Sequence, residues 1–200
     1  MKIYSVADIH GAQFRLNLVL KNIDRYSPDL VVICGDITQF GPGELAKNFL
    51  NQIPVDTLAI TGNIDTDDVG KGIDESNATR IEMKKIVKKG VPFFGIGRDI
   101  SKQIDLIDKK KLIDENCVVV SHEPPYGAQD KVFLGKHAGS KTLRDIVDKY
   151  GPRLVLCGHI HENPGFNKIN NTIIINSSMG KRGEGAIIEI NENISVKMID

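Results

Sequence analysis

"RLVLCGHIHENPG", residues 153–165, opens as an apolar run and then breaks into polar turn chemistry, with two histidines one residue apart at the break. A run of this length bounded by turn residues reads as a buried strand. A plain loop should follow it, yet Gly158-His159-Ile160-His161 stands there instead. The same grammar recurs upstream. Strands are predicted at 2–8, 30–36, 56–62, 91–97, 117–122 and 153–159, and three more at 172–178, 185–190 and 194–199 close the chain. The early runs are almost continuously apolar, as strands covered on both faces must be.

Helical patterns lie between the strands. In 12–26, Leu16, Val19, Leu20 and Ile23 fall at i, i+3, i+4 and i+7 and make one apolar stripe. Residues 43–53 and 139–150 are similar, the latter with Ser140 placed to cap it and Gly151 to end it. Strands alternating with helices predict an α/β layered domain. The short turns between the last three strands predict an antiparallel portion, so a mixed sheet or two packed sheets. The stretch 65–80 is weakly patterned and is expected to be a loop over a site. At 200 residues the chain is expected to form one domain, residues 1–200.

Composition narrows the partners. Lys+Arg and Asp+Glu balance at 26 each, so no global field draws in a polyanion. The basic blocks at 84–90 and 108–112 carry no interleaved aromatic residues and read as solvated faces; a nucleic-acid partner is not expected. No apolar run reaches bilayer length, and the N-terminus reaches Asp8 and His10 too early for a secretory leader. These features predict a cytoplasmic address and no membrane partner. Cys34, Cys117 and Cys157 sit in or beside apolar runs and are expected to be buried free thiols in a reducing compartment.

The polar residues that interrupt the strands share one place, the carboxyl end. The first strand gives Asp8 and His10, the second Gly35-Asp36, and the third Gly62-Asn63. The fifth gives His122, and the sixth His159 and His161. Ligand sites of open α/β sheets gather outside these ends. Any one of these residues has a dull explanation as a turn, a cap or a structural histidine. Together they bring four of the chain's five histidines to one region. Such a cluster of carboxylates and imidazoles demands a charge partner, and two divalent cations supply it. Imidazole nitrogen with carboxylate and amide oxygen suits Mn²⁺, Fe, Zn²⁺ or Ni²⁺ better than Ca²⁺.

The ordered set D-x-H (8–10), G-D (35–36), G-N-x-D (62–65), H (122) and G-H-x-H (158–161) resembles the calcineurin-like metallophosphoesterase superfamily. "SHEPPYG" (121–127) and "HAGSKTLRDIV" (137–147) are similar to its small prokaryotic, phosphodiesterase-type members. The resemblance implies a four-layer α/β/β/α sandwich of two mixed sheets. It further implies that Asp8, His10 and His161 bind a first metal, that Asn63, His122 and His159 bind a second, and that Asp36 bridges both. The two ions are expected to be Mn²⁺ first, with Fe, Zn²⁺, Ni²⁺ or Mg²⁺ as alternatives. The implied activity is hydrolysis of a phosphodiester or phosphomonoester by a metal-bridging hydroxide, with Asp36, Asn63 and His122 catalytic and a small phosphate ester as substrate. Ile160 is expected to anchor the turn between the two histidines, and Asp65 is a candidate to orient the ligands.

One position departs from the family pattern. Many members read G-N-H-[DE], whereas this chain reads "GNID", with Ile64 where a proton donor or phosphate ligand usually stands. His137 is the one histidine outside the metal set and is a candidate to contact substrate, with a loop-fixing role as its alternative. Asn63 is a further substrate contact, and Arg98 and Arg182 are candidates for phosphate oxygens or else ordinary surface arginines. A metal-binding scaffold on the same fold that recruits protein partners is the alternative to an enzyme, with Ile64 in its favour. A homodimer is the default assembly.

Overall fold

The computed structural model describes residues 1–97, 100, 104–180 and 183–200. The six predicted runs between residues 2 and 159 form parallel strands. One sheet holds β1 (Lys2–Val6), β2 (Leu30–Cys34), β3 (Thr57–Ile60) and the two-residue β4 (Thr79–Arg80). The other sheet holds β5 (Lys85–Lys88), β6 (Val91–Gly95), β7 (Val118–Val120), β8 (Leu154–Cys157), β9 (Gly165–Ile169) and β10 (Thr172–Asn176). The chain ends with β11 (Ala186–Ile190) and β12 (Ile194–Met198), which return to the first sheet. The orders are β12-β11-β1-β2-β3-β4 and β5-β6-β7-β8-β10-β9. β11 runs antiparallel to β1 and β12 to β11, while β5 and β9 are antiparallel edges of the second sheet. Both sheets are therefore mixed.

Three apolar layers separate four structural ones. Helices α1 (Gln13–Tyr26), α2 (Gly43–Leu50) and α3 (Asp67–Asp74) cover the first sheet, where Leu16, Val19, Phe49 and Val69 meet Tyr4, Val31 and Ile33. Helices α4 (Ile104–Lys110) and α5 (Lys141–Tyr150) cover the second, where Ile107, Leu143 and Val147 meet Phe94, Val119 and Val155. Between the sheets, Ile3, Val32, Leu58 and Ile188 pack on Phe93, Val118, Leu154 and Ile175. Successive residues of each central strand thus face two different apolar layers, which explains why the strands are apolar throughout. The result is the expected α/β/β/α sandwich. Ser140 Oγ accepts the Leu143 N–H, and Gly151 closes α5 at φ 54°, as its sequence predicted.

The stretch 65–80 does not form a plain loop. It holds α3 and β4, and α3 presents Val69, Gly70, Gly72 and Ile73 as its buried face. Two of those four are glycines, so the burial leaves no hydrophobic signature. They serve close packing: a Cβ on Gly72 would lie 2.1 Å from the Gly43 carbonyl oxygen of α2, and one on Gly70 would lie 2.7 Å from the Arg80 guanidinium. β5 and β9 are edge strands with exposed lysine or asparagine, a composition that protects an edge and hides it from a hydrophobic scan. Cys34, Cys117 and Cys157 are buried free thiols. Among the described residues no helix is long and apolar enough to cross a membrane.

The two sheets are tied together where the candidate site begins. Beyond β1, Ala7 N–H donates to Ser177 O and Met179 N–H to Ala7 O, a parallel bridge from the first sheet to the end of β10. Asp8 N–H then turns to Gly35 O and His10 N–H to Asp36 O. In the second sheet Gly158 N–H reaches His122 O. The carboxyl ends of β1, β2, β3, β7 and β8 thereby converge.

Candidate metal centre

Every predicted ligand follows a strand end, and the backbone bends sharply to present several of them. Asp8, His10, Asp36 and His159 have φ of 65°, 54°, 51° and 69°. Left-handed backbone at a residue with a side chain is disfavoured, and it gathers where a site dictates the geometry. Close approach also accounts for Gly62 and Gly158. A Cβ on Gly62 would sit 2.0 Å from Asp36 Oδ1, and one on Gly158 would sit 2.2 Å from the Ala7 Cβ.

The seven side chains meet as two groups. In the first, His10 Nε2 and His161 Nε2 stand 3.2 Å apart, with Asp8 Oδ1 at 3.3 Å from His161 and 3.9 Å from His10. In the second, Asn63 Oδ1 lies 2.8 Å from His122 Nε2 and 2.9 Å from His159 Nδ1; the two ring nitrogens are 3.2 Å apart, and Asp36 Oδ2 is 3.4 Å from His122. Asp8, His10 and His161 could hold one ion, and Asp8, Asp36 and His122 offer atoms close enough to hold another. Asp8 is the carboxylate common to both sets.

The donor chemistry fits cations. Asp8 is fully buried, and its Oδ1 has no well-formed hydrogen bond among the described residues, an expense a bound cation would offset. His122 Nδ1 donates to the Cys34 carbonyl at 2.8 Å, which turns Nε2 toward Asn63. Asp36 is 3 % exposed and Asp8 0 %, so their charges are poorly served by water. Burial opposes charge on His122, yet Asp36 and Asp8 outweigh it and raise its pKa to about 9. The Asp8 carboxylate beside it, 3.3 Å away, raises His161. Burial lowers their partners, His10 and His159, and in His159 the neighbouring His122 adds to the effect. In each histidine pair the two rings are shifted in opposite directions, the one beside a carboxylate upward and its partner downward.

Supporting residues hold this arrangement. Asp65, buried, accepts the N–H groups of Ile37, Thr38 and Gly62 and the Thr38 hydroxyl at 2.9–3.1 Å, tying the loop after Asp36 to the loop that carries Asn63. The sequence suggested Asp65 as an orienting group, and its bonds to backbone show how it acts. Asn176, missed by sequence reasoning, is fully buried at the end of β10, and its Nδ2 donates to Ile160 O, Asn163 O and Gln129 O. That clamp sets the turn that carries His159 and His161, while Ile160 is buried beneath it. Nothing in an "NSS" strand end distinguishes such a clamp from a turn residue.

Arg15 was also missed. It sits in the first turn of α1, bonds the Asp8 carbonyl, and lines an open groove of about 440 Å³ with His10, Ala12, Phe14, Gln39, Ile64 and His161. Its only sequence signal was a place shortly after D-x-H. His137 is committed elsewhere: its Nδ1 is 2.7 Å from Asp130 Oδ1 and its ring packs on Tyr126, and it does not line this groove. Arg98 and Arg182 lie outside the described residues.

Comparison with known proteins speaks to the family and the fold. A family model described as calcineurin-like phosphoesterase matches residues 1–163. An uncharacterized protein of Methanocaldococcus jannaschii is 35% identical over 199 residues, covering 89% of this chain and 88% of its own. A probable glycerophosphodiester phosphodiesterase of Arcobacter nitrofigilis is 27% identical over 184 residues, covering 79% of this chain and 65% of its own. The crystal structure of a Thermus thermophilus protein superposes with a TM-score of 0.73 at 11% identity, covering 98% of each chain, a likeness of fold.

Proposed function

We propose that this chain, which belongs to the calcineurin-like phosphoesterase family, hydrolyses phosphate esters with the help of two divalent cations, Mn²⁺ first among the candidates. The observation that carries this reading is the convergence of imidazole nitrogens with carboxylate and amide oxygens at two places. His10 Nε2, His161 Nε2 and Asp8 Oδ1 meet at one point, and His122 Nε2, His159 Nδ1 and Asn63 Oδ1 at another. Asp8, His10 and His161 would hold one ion, Asn63, His122 and His159 the other, and Asp36 would stand between them. Such a pair of ions supplies an activated water and positive charge for the phosphoryl oxygens.

The chain's own residues shape the rest. Asp8 and Asp36 return two negative charges against four, which leaves the centre attractive to an anionic ester. The Cys34 carbonyl fixes the ring of His122, and Asp65 fixes the backbone that carries Asn63. Ile64 bonds Asp36 Oδ1 through its N–H but has no proton to give a departing alkoxide. General acid help is worth roughly 10²–10⁴-fold, so the preferred substrates carry leaving groups that depart without protonation, such as phenolates. The Arcobacter relative's name speaks for a diesterase.

His122→Ala and Asp36→Ala should each lower Mn²⁺-dependent turnover of aryl phosphate esters by more than about a hundredfold, since losing even an outer partner of a metal ligand costs about 10–100-fold. Elemental analysis of the same variants should show less bound metal. Undiminished turnover in either variant would refute these roles. Ile64 favours one other reading, a metal-holding scaffold that recruits protein partners; two bound ions with no turnover of any aryl phosphate ester would select it.

A further inference from the structure

The groove beside His10 and His161 has a composition that no metal centre requires. Beyond the two histidines, its wall is Ala12, Phe14, Ile64, Gln39 and Arg15, with no carboxylate among the described residues. Phe14 leaves 64 % of its surface exposed at the mouth of the site, in the first turn of α1, and the Arg15 guanidinium lies 5.7 Å from its ring centroid. An aromatic side chain left in water beside a reaction centre is apolar area waiting for a ligand. On its far side Phe14 faces a second hollow of about 290 Å³, lined with Leu18 and Met179 but also with Arg15 and Glu184.

The charges sort the classes of ligand. Among the described residues Arg15 is the one cation of the groove wall apart from the histidines, and it can meet a phosphoryl oxygen while its bond to the Asp8 carbonyl holds it in place. A cationic ester group would find no carboxylate here. A polyol group would find, among the described residues beyond the histidines and Arg15, one polar side chain, Gln39, to replace its lost water. An aromatic group would find the exposed Phe14 ring and the side chain of Ile64, at the position where the family pattern usually has a polar histidine.

We propose that this groove is the ester-binding subsite for an aromatic phosphate ester, with Phe14 and Ile64 seating the ring and Arg15 meeting the phosphoryl group. The proposal rests on the phosphoesterase reading, and it adds a substrate class and two residues to it.

The test uses the full chain loaded with Mn²⁺ and two readouts. Calorimetry gives Kd for phenylphosphonate and methylphosphonate, and release of 4-nitrophenolate from phenyl 4-nitrophenyl phosphate and methyl 4-nitrophenyl phosphate reads turnover. Phenylphosphonate should bind about tenfold more tightly than methylphosphonate. In Phe14→Ala that ratio should collapse to within about twofold, whereas Phe14→Tyr should keep it. In Arg15→Met both phosphonates should weaken together and the ratio should persist. Phe14 is exposed, so its variants should melt with the wild type. A ratio near one in the wild type, or one that survives in Phe14→Ala, overturns the subsite while leaving the hydrolase reading in place. A binding preference without turnover of either ester supports the subsite and overturns the hydrolase reading. No binding of either phosphonate overturns both.

Discussion

Asp130 is fully buried, and its hydrogen bonds come from its own loop: His137 Nδ1 at 2.7 Å, Gly127 N–H at 3.0 Å and Gly139 N–H at 3.1 Å. Burial pushes its pKa up, but these donors, His137 foremost, hold it below the usual carboxylate range. An unfolded aspartate titrates near about 3.9. The stability that Asp130 contributes is therefore complete above that value and lost as pH falls through the lower folded one. Asp130→Asn should cost about 1–3 kcal/mol at pH 6, and its urea midpoint should fall less steeply than the wild type's between pH 6 and pH 3. Parallel slopes would count against the assignment. The same pair shows what single residues disclose in a sequence. Asp8, His10, Asp36, Asn63, His122, His159 and His161 were legible because each interrupts an apolar strand. Asp130 and Asn176 were not, since their partners are nearly all backbone groups that no letter records, and Arg15 was hidden among the polar positions of an ordinary helix.

At the scale of elements, the turn from Gly158 to Asn163 matters most, because it carries two ligands and is held from a neighbouring strand. Asn176 Nδ2 serves three of its surrounding carbonyls at 2.9–3.2 Å. Asn176→Ala removes that donor and leaves buried acceptors unmet, at about 1–3 kcal/mol for each group that water cannot reach. The variant should melt below the wild type, and it should also bind Mn²⁺ at least about tenfold more weakly, as loss of an outer partner does. Equilibrium titration of metal against a fluorescent chelator reads the second effect; unchanged affinity beside a lowered melting point would reduce Asn176 to a packing role. Elements were legible in proportion to their apolar content. The central strands, α1 and α5 stood out. α3 did not, because Gly70 and Gly72 make half of its buried face, and β5 and β9 did not, because edges are guarded by charge and polarity.

For the whole molecule, the layered α/β class followed from alternation of strand and helix, but sheet order did not, since pairing of β11 with β1 joins residues nearly a full chain apart. That topology has a consequence for stability. The ligands run from Asp8 to His161 and rise from both sheets, which are otherwise joined at this end by the Ala7–Ser178 bridge and its hydrogen bonds. Cations held among them would bind the folded chain and find no such cluster in the unfolded one, so metal and fold are linked by mass action. Free Mn²⁺ at about a hundred times its Kd stabilises by about 2.7 kcal/mol for one site, and in a chain of this length each kcal/mol moves Tm by about 2–4 °C. The chelator-stripped protein should therefore gain roughly 5–11 °C on loading. Asp8→Asn should abolish most of that gain, because it removes the carboxylate proposed for one ion, and that carboxylate also lies within 4.8 Å of the Asp36 and His122 ligand atoms. Hydrogen exchange adds a spatial check: protection on loading should rise together at Ala7, Asp8 and Ser177, on the two sides of the seam. A melting curve indifferent to Mn²⁺, or protection confined to one sheet, would mean that these seven side chains do not act as one centre.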